Sequence, residues 1–135
     1  MPSVTTDALL FTREKDEILL IKRLNDPGKD MWALPGGYIE LDEELEESVA
    51  RELLEETGID YREDWMQVGA YGAVNRDPRG RVIMVAFMAI VDKNDFVLKA
   101  GDDAKEVRWF LLNDLPELAF DHKLVIDEAH SMLFA

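Results

Sequence analysis

The chain has 135 residues, of which 47% are hydrophobic and 33% charged, the composition of one globular domain rather than of a disordered segment. With 15 Lys and Arg against 29 Asp and Glu the formal charge is −14, which argues against a duplex nucleic-acid binder and against docking on anionic lipid. No cysteine is present, so disulfides, thiolate metal sites and thiol nucleophiles are excluded, and the longest apolar run, Val82–Val91, is ten residues, about half of what a membrane helix needs.

The amino terminus lacks a charged leader followed by an apolar stretch, so no secretory signal is expected and a cytoplasmic setting fits. Val4–Phe11 ends in a solid apolar patch and reads as a strand. Asp16-Glu17 makes a turn into a second apolar run, Ile18–Ile21, closed by Lys22-Arg23, so the two are expected to form a hairpin. Asn25–Asp30 is a loop by composition, and Trp32-Ala-Leu-Pro-Gly-Gly37 is an extended stretch running into a tight glycine turn. Glu43–Thr57 is the strongest helix signal: Leu45, Val49 and Leu53 recur every four residues, and Ala50 and Leu54 widen the stripe. Gly58 stands where a C-cap glycine belongs. Trp65–Val74 and Val82–Val91 are strand-like, separated by the charged loop Asn75–Arg81. Val107–Leu112 is another short strand, and His122–Phe134 is an amphipathic helix carrying Leu124, Val125, Ile126, Ala129, Met132 and Leu133. No repeat, low-complexity tract or linker divides the chain, so residues 1–135 are expected as one domain. The order predicts an α+β fold in which a mixed sheet lies between helices.

The segment from Gly37 to Ile59 carries most of the chemistry. Glu52 lies three residues before Glu55 and four before Glu56, so on a helix turning about 100° per residue the three share one face. Such neighbours repel one another, and Glu52 and Glu56 also flank the apolar stripe. An acidic run on a helix is ordinarily a solvated face. A divalent cation would resolve the conflict, and hard oxygen ligands suit Mg²⁺ or Mn²⁺ with positions left open for water and phosphate. Arg51 precedes Glu55 by four residues and can hold a carboxylate in place. Gly36 and Gly37 let the backbone bend against the helix, where a Gly36 carbonyl could complete a coordination shell.

Gly37, five residues, Glu43, seven residues and then Arg51-Glu52-Leu53-Leu54-Glu55-Glu56-Thr57-Gly58-Ile59 resemble the signature of the Nudix hydrolase family, matching at every specified position. The resemblance implies an α/β/α sandwich and metal-dependent hydrolysis of a nucleoside diphosphate linked to another moiety. Carried over to this chain, Glu52, Glu55 and Glu56 would be metal ligands, Arg51 would orient them, Gly37 would shape the loop and Glu43 would buttress it. Many members place Ser or Thr where this chain has Glu44, so Asp42 is expected to cap the helix. Bound cations would neutralise a pyrophosphate bridge, lower the pKa of a coordinated water and offset the −14 charge of the chain for an anionic substrate. A carboxylate then removes the proton. The candidates are Glu55 and Glu56 in the signature, or an acid from Asp102-Asp103-Ala-Lys-Glu106, since relatives often supply one from the loop before the penultimate strand; Glu106 is taken from that loop.

Arg76-Asp77-Pro78-Arg79-Gly80-Arg81 puts three arginines in six residues of an acidic chain. Arginine forks match phosphate oxygens, although a charged hairpin turn is the simpler reading of such a run. Its place after the signature resembles ADP-ribose pyrophosphatases of the bacterial and archaeal type within the family. That resemblance implies hydrolysis of ADP-ribose to AMP and ribose 5-phosphate. Arg76, Arg79 and Arg81 cannot all face one ligand, and Arg79 is the first choice. Ala119-Phe-Asp-His122 also resembles those relatives, while helix N-terminal packing remains the plainer role of His122. Tyr71 and Phe120 are weak candidates for contacts to ribose or adenosine. Arg23 is read as surface, His130 as structural, and Trp32, Trp65 and Trp109 as core or interface aromatics, with Trp32 beneath the signature helix. Two other readings stay open. One is hydrolysis of NADH, a sugar nucleotide or a nucleoside triphosphate. The other is an ADP-ribose sensor without turnover, which the intact glutamates and the lack of a basic extension after Ala135 weigh against. The apolar content permits a homodimer.

Overall fold

Successive apolar residues in the first strand imply burial on both faces. The computed structural model, which describes residues 1–101 and 103–134, places that strand, β1 (Ser3–Thr12), inside a sheet. It runs parallel to a second ten-residue strand, β6 (Val82–Val91), in register from Ser3↔Val82 to Thr12↔Val91. The other strands are β2 (Glu17–Arg23), β3 (Trp32–Ala33), β4 (Gly36–Tyr38), β5 (Met66–Tyr71) and β7 (Ala104–Leu111). All their pairings are antiparallel, and the order β3-β2-β1-β6-β5, with β4 on β1 and β7 on β2, makes the expected mixed sheet.

Two helices cover the two faces. Leu10, Ala8 and Leu19 pack with Val49 and Leu53 of α1 (Leu45–Thr57). Leu9, Phe11, Ile18 and Leu20 pack with Val125, Ile126 and Ala129 of α2 (His122–Met132). Alternate residues of β1 thus feed alternate cores, as a period of two requires. Each fully buried side chain of this size contributes about 1.5–3 kcal/mol. The result is the α/β/α sandwich expected from the sequence. No helix among the described residues is long and apolar enough to cross a membrane.

The expected elements are present with shifted ends. Helix α1 begins at Leu45, and its N-cap is Glu44 rather than Asp42: Glu47 Oε1 accepts from the Glu44 N–H at 2.9 Å. Leu54 does not widen the buried stripe; it is 37% exposed, and the stripe continues instead through Glu56 and Thr57. Gly58 ends the helix at φ +80°, its N–H donating to Leu54 O at 3.0 Å. Strand β5 stops at Tyr71, where the chain turns away and the Arg76 N–H donates to Ala73 O at 3.2 Å. Strand β7 starts at Ala104, and α2 ends at Met132. Trp32 does not lie beneath the signature helix. It packs in the α2-side core, edge-on to Phe110 at 4.7 Å between ring centres, because β3 follows the β2 edge while α1 covers the opposite face.

One irregularity positions the site. β1 and β2 pair at Phe11↔Ile18 and then part. The chain fills the opening: β3 pairs with β2 at Ile21 and Lys22, Leu34-Pro35 crosses over, and β4 pairs with β1 at Thr5, Thr6 and Asp7. The Ala8 N–H donates to Pro35 O at 2.8 Å across the crossing. A short strand of nearly bare backbone therefore stands in the split end of the sheet.

Candidate active site

Alternation along β4 gives its two glycines opposite outlooks. A Cβ on Gly37 would lie 2.6 Å from the Glu52 carboxylate, on the α1 side. A Cβ on Gly36 would lie 2.7 Å from Asp7 Oδ1, on the side of α2, where Leu9 of the same strand face also points. Both positions demand glycine because the Cβ space is already occupied, at Gly37 by the Glu52 carboxylate and at Gly36 by the Thr6 backbone carbonyl and the Asp7 side chain.

On the α1 side Arg51 is the centre. Its Nε and Nη2 donate to the two oxygens of Glu43 at 2.6 and 3.0 Å, Nη1 to Glu52 at 2.8 Å and to Glu55 at 3.3 Å, and Nη2 also to Tyr38 O at 3.1 Å. The hydrogen bonds from Arg51 hold the Glu43 carboxyl down to about 2. Burial pushes Glu52 above the ordinary carboxylate range, with Arg51 opposing. Glu56 is turned further in, and its Oε1 accepts from the Gly36 N–H at 2.7 Å. Burial pushes it up to about 9, against that hydrogen bond and with the nearby charges of Glu52 and Asp7 adding to the rise. Glu55, 100° round the helix from Glu56, is turned out: its side chain is 41% exposed and it does not line the cleft.

On the α2 side a recess of about 60 Å³ is lined by Thr5, Asp7, Leu34, Arg76, Arg79 and His122, among others, and by Glu56, which borders both compartments. Asp7 and His122 are 6% and 5% exposed. His122 Nδ1 accepts from the Leu34 N–H at 3.0 Å, which assigns the proton of the neutral ring to Nε2. Nε2 stands 3.8 Å from Asp7 Oδ2. Burial pushes Asp7 up to about 7 and His122 down to about 4.

The arginine loop is divided. Arg76 is buried and forms a bidentate pair with Asp121 at 2.9 and 2.8 Å. Arg79 is clamped by the buried Asp77 at 2.7 Å and lines both compartments. It lies over the Phe120 ring at 5.3 Å, and Arg23 lies over the same ring at 5.1 Å. Arg81 is exposed, donates to Gly72 O at 2.8 Å, and is not among the cleft residues.

The structure therefore gathers Gly36, Gly37, Arg51, Glu52, Glu56, Arg76 and Arg79 at one cleft, and sets Glu55, Arg81 and Glu106 off it. Glu106 pairs with Arg108 at 2.9 Å, because alternation along β7 sends it to the face opposite Val107 and Trp109, which pack toward α1. Of its loop, Asp103 reaches the α1-side compartment, and Asp102 lies outside the described residues. Asp7 was not singled out in the sequence; the signal was a carboxylate within the otherwise apolar run Asp7–Phe11. Arg23 lines the cleft instead of solvent, and Tyr71 bonds Glu128 at 2.7 Å away from it. His130 is structural, meeting Lys15 O at 3.2 Å and the Phe11 and Phe134 rings.

Among the described residues no three acidic or histidine side chains converge in ligating geometry, since Arg51 draws Glu52 and Glu55 and the Gly36 N–H draws Glu56. The donor chemistry still fits a hard divalent cation: only oxygen ligands, bare backbone beside them, and carboxyls whose burial and mutual repulsion leave them short of countercharge.

This sandwich, with its acidic helix against a glycine strand, is that of a known class: a family model described as NUDIX domain matches residues 1–129, and the chain belongs to that family. It is 49% identical over 128 residues to an ADP-ribose pyrophosphatase of Methanocaldococcus jannaschii, covering 94% of this chain and 72% of that protein. It is 36% identical to the ADPR responsive transcriptional repressor NtrR of Acinetobacter baylyi, covering 98% of this chain and 54% of the repressor. Among solved structures, the NUDIX domain of Shewanella oneidensis NrtR complexed with ADP ribose superposes with a TM-score of 0.90 at 33% identity, covering 98% of this chain and 89% of that one.

Proposed function

We propose that the protein hydrolyses ADP-ribose, a nucleoside diphosphate linked to a sugar, to AMP and ribose 5-phosphate. The observation that carries this reading is the seating of Glu52 and Glu56 against the Gly36–Gly37 backbone with Arg79 lining the same cleft. The likeness to the archaeal pyrophosphatase supports the substrate. Glu52, Glu56 and the Gly36 carbonyl, with Glu55 joining them by a side-chain turn from its outward position, would hold Mg²⁺ or Mn²⁺, which would supply charge neutralisation at the diphosphate and a more acidic bound water. Arg51 orders Glu52 and Glu55 before substrate arrives, and Arg79, held by Asp77, presents its guanidinium to a phosphate oxygen. A water oxygen bonds to phosphorus, the bridging P–O bond breaks, and the water proton passes to a carboxylate. Glu56 is the candidate base by its place on the cleft, and Asp103 is the acid its loop offers in place of Glu106. The proposal includes a cytoplasmic setting and a homodimer, the latter checked by sedimentation.

Purified protein with ADP-ribose and magnesium should release AMP, and a chelator should stop it. Inert ADP-ribose alongside cleaved NADH, sugar nucleotides or nucleoside triphosphates would defeat the substrate and keep the chemistry. A second reading is a sensor that binds ADP-ribose without turnover, favoured by the likeness to the repressor and to the NrtR domain. Tight binding with no product after long incubation would select it.

A further inference from the structure

The α2-side recess holds polar groups that the hydrolytic step above does not use. His122 has its proton fixed on Nε2 by the Leu34 N–H, and Asp7 presents an acceptor 3.8 Å away. That separation is beyond a direct hydrogen bond, yet both groups line the recess and both are more than nine-tenths buried. A buried donor and a buried acceptor that just miss each other call for a small group between them that both accepts and donates. A hydroxyl does so: its oxygen accepts from Nε2–H and its proton goes to the carboxylate. Thr5, also buried and lining the recess, hydrogen-bonds the Asp7 carboxyl and so helps to hold the acceptor in place.

Charge disfavours a phosphate between Asp7 and His122. Of the arginines that line the recess, Arg76 lines it alone and not the α1-side compartment, and it is buried and already committed to both oxygens of Asp121, so an anion between Asp7 and His122 would face the Asp7 carboxyl. Phosphate finds its partners where the two compartments meet, since Arg23 and Arg79 line both and share the Phe120 ring. Size agrees: about 60 Å³ takes a few water-sized groups and not a nucleobase.

We propose that the Thr5–Asp7–His122 recess is a sugar-hydroxyl subsite, reading a ribose diol of the nucleoside diphosphate while its phosphates lie where the two compartments meet. The inference rests on the substrate class proposed above. The ribose is either that of adenosine or the terminal one, and the test separates them. Calorimetry on the full chain measures affinity for ADP-ribose, for an analogue deoxygenated on the adenosine ribose and for one deoxygenated on the terminal ribose, with hydrolysis of ADP-ribose followed in parallel. One analogue should bind at least tenfold more weakly, and Asp7→Ala should abolish the difference by weakening ADP-ribose to the analogue's level. His122→Phe, which removes the donor and keeps an apolar ring, should do the same and stands in should Asp7→Ala fail to fold. Equal affinities for all three ligands, or discrimination unchanged in both variants, would overturn the subsite while hydrolysis of ADP-ribose upheld the substrate. Neither binding nor hydrolysis of ADP-ribose would overturn the substrate reading and the subsite with it.

Discussion

On the α1 side of β4 a single guanidinium, Arg51, has four carboxylates within 4.0 Å: Glu40, Glu43, Glu52 and Glu55. On the α2 side Asp7 and His122 sit deeper, and their shared approach is the 3.8 Å gap. The first compartment manages charge by pairing at a partly wet surface, the second by burial that suppresses ionisation of both partners. Glu56 belongs to both, bonded to β4 and hemmed in by charge from either direction. A site built this way can separate tasks: the paired side is rich in countercharge-hungry oxygen donors, and the buried side is suited to neutral polar groups.

The largest expected effect tests the residue common to both sides. Glu56→Gln should lower turnover of ADP-ribose by about 10²–10⁴-fold with the melting temperature unchanged or raised, because a neutral amide relieves a buried carboxylate. Wild-type rates would remove Glu56 from the chemistry. Gly37→Ala strikes the α1 side alone, since the new methyl meets the Glu52 carboxylate at 2.6 Å. Turnover should fall about 100-fold and stability by about 1–3 kcal/mol, read by steady-state kinetics and urea unfolding. Arg79→Ala should raise KM more than it lowers kcat, by roughly tenfold for one lost charge-assisted contact.

A smaller effect sharpens the α2 side. The folded pKa of His122, about 4, lies below its ordinary value, so the unfolded chain binds the extra proton between those two values. Stability from this group is full above about pH 6.5 and is lost as pH falls toward 4. Thermal melts at pH 7 and pH 5 should show the wild type losing about 2 kcal/mol relative to His122→Gln, whose amide can still accept from Leu34. The smallest effect is Arg81→Ala, which should leave kinetics and stability within error because its guanidinium meets an exposed carbonyl off the cleft.

The two sides differed in how far sequence exposed them. The α1 compartment comes largely from one contiguous stretch, Gly36 to Glu56, where helical spacing alone aligns the glutamates and Arg51. Spacing also overstated the result: it put Glu55 with Glu56 on one face, whereas packing against β4 draws Glu56 in and leaves Glu55 out. The α2 compartment is assembled from β1, the β3–β4 crossing, the arginine loop and the start of α2. No local pattern joins Asp7 to His122, 115 positions away, and only strand pairing brings them together. Most strand runs and helix faces followed from periodicity, while the sheet order and the displacement of Glu106 required the pairings between strands.

Between the compartments stand two residues of backbone without side chains, with Glu56 and Arg79 bordering both. Such a partition channels the effect of an exchange on the α2 side through the side chains that both compartments share. An exchange at Asp7 would be felt at Glu56, whose carboxyl its charge helps push up, whereas Glu52 keeps its seat so long as position 37 stays bare.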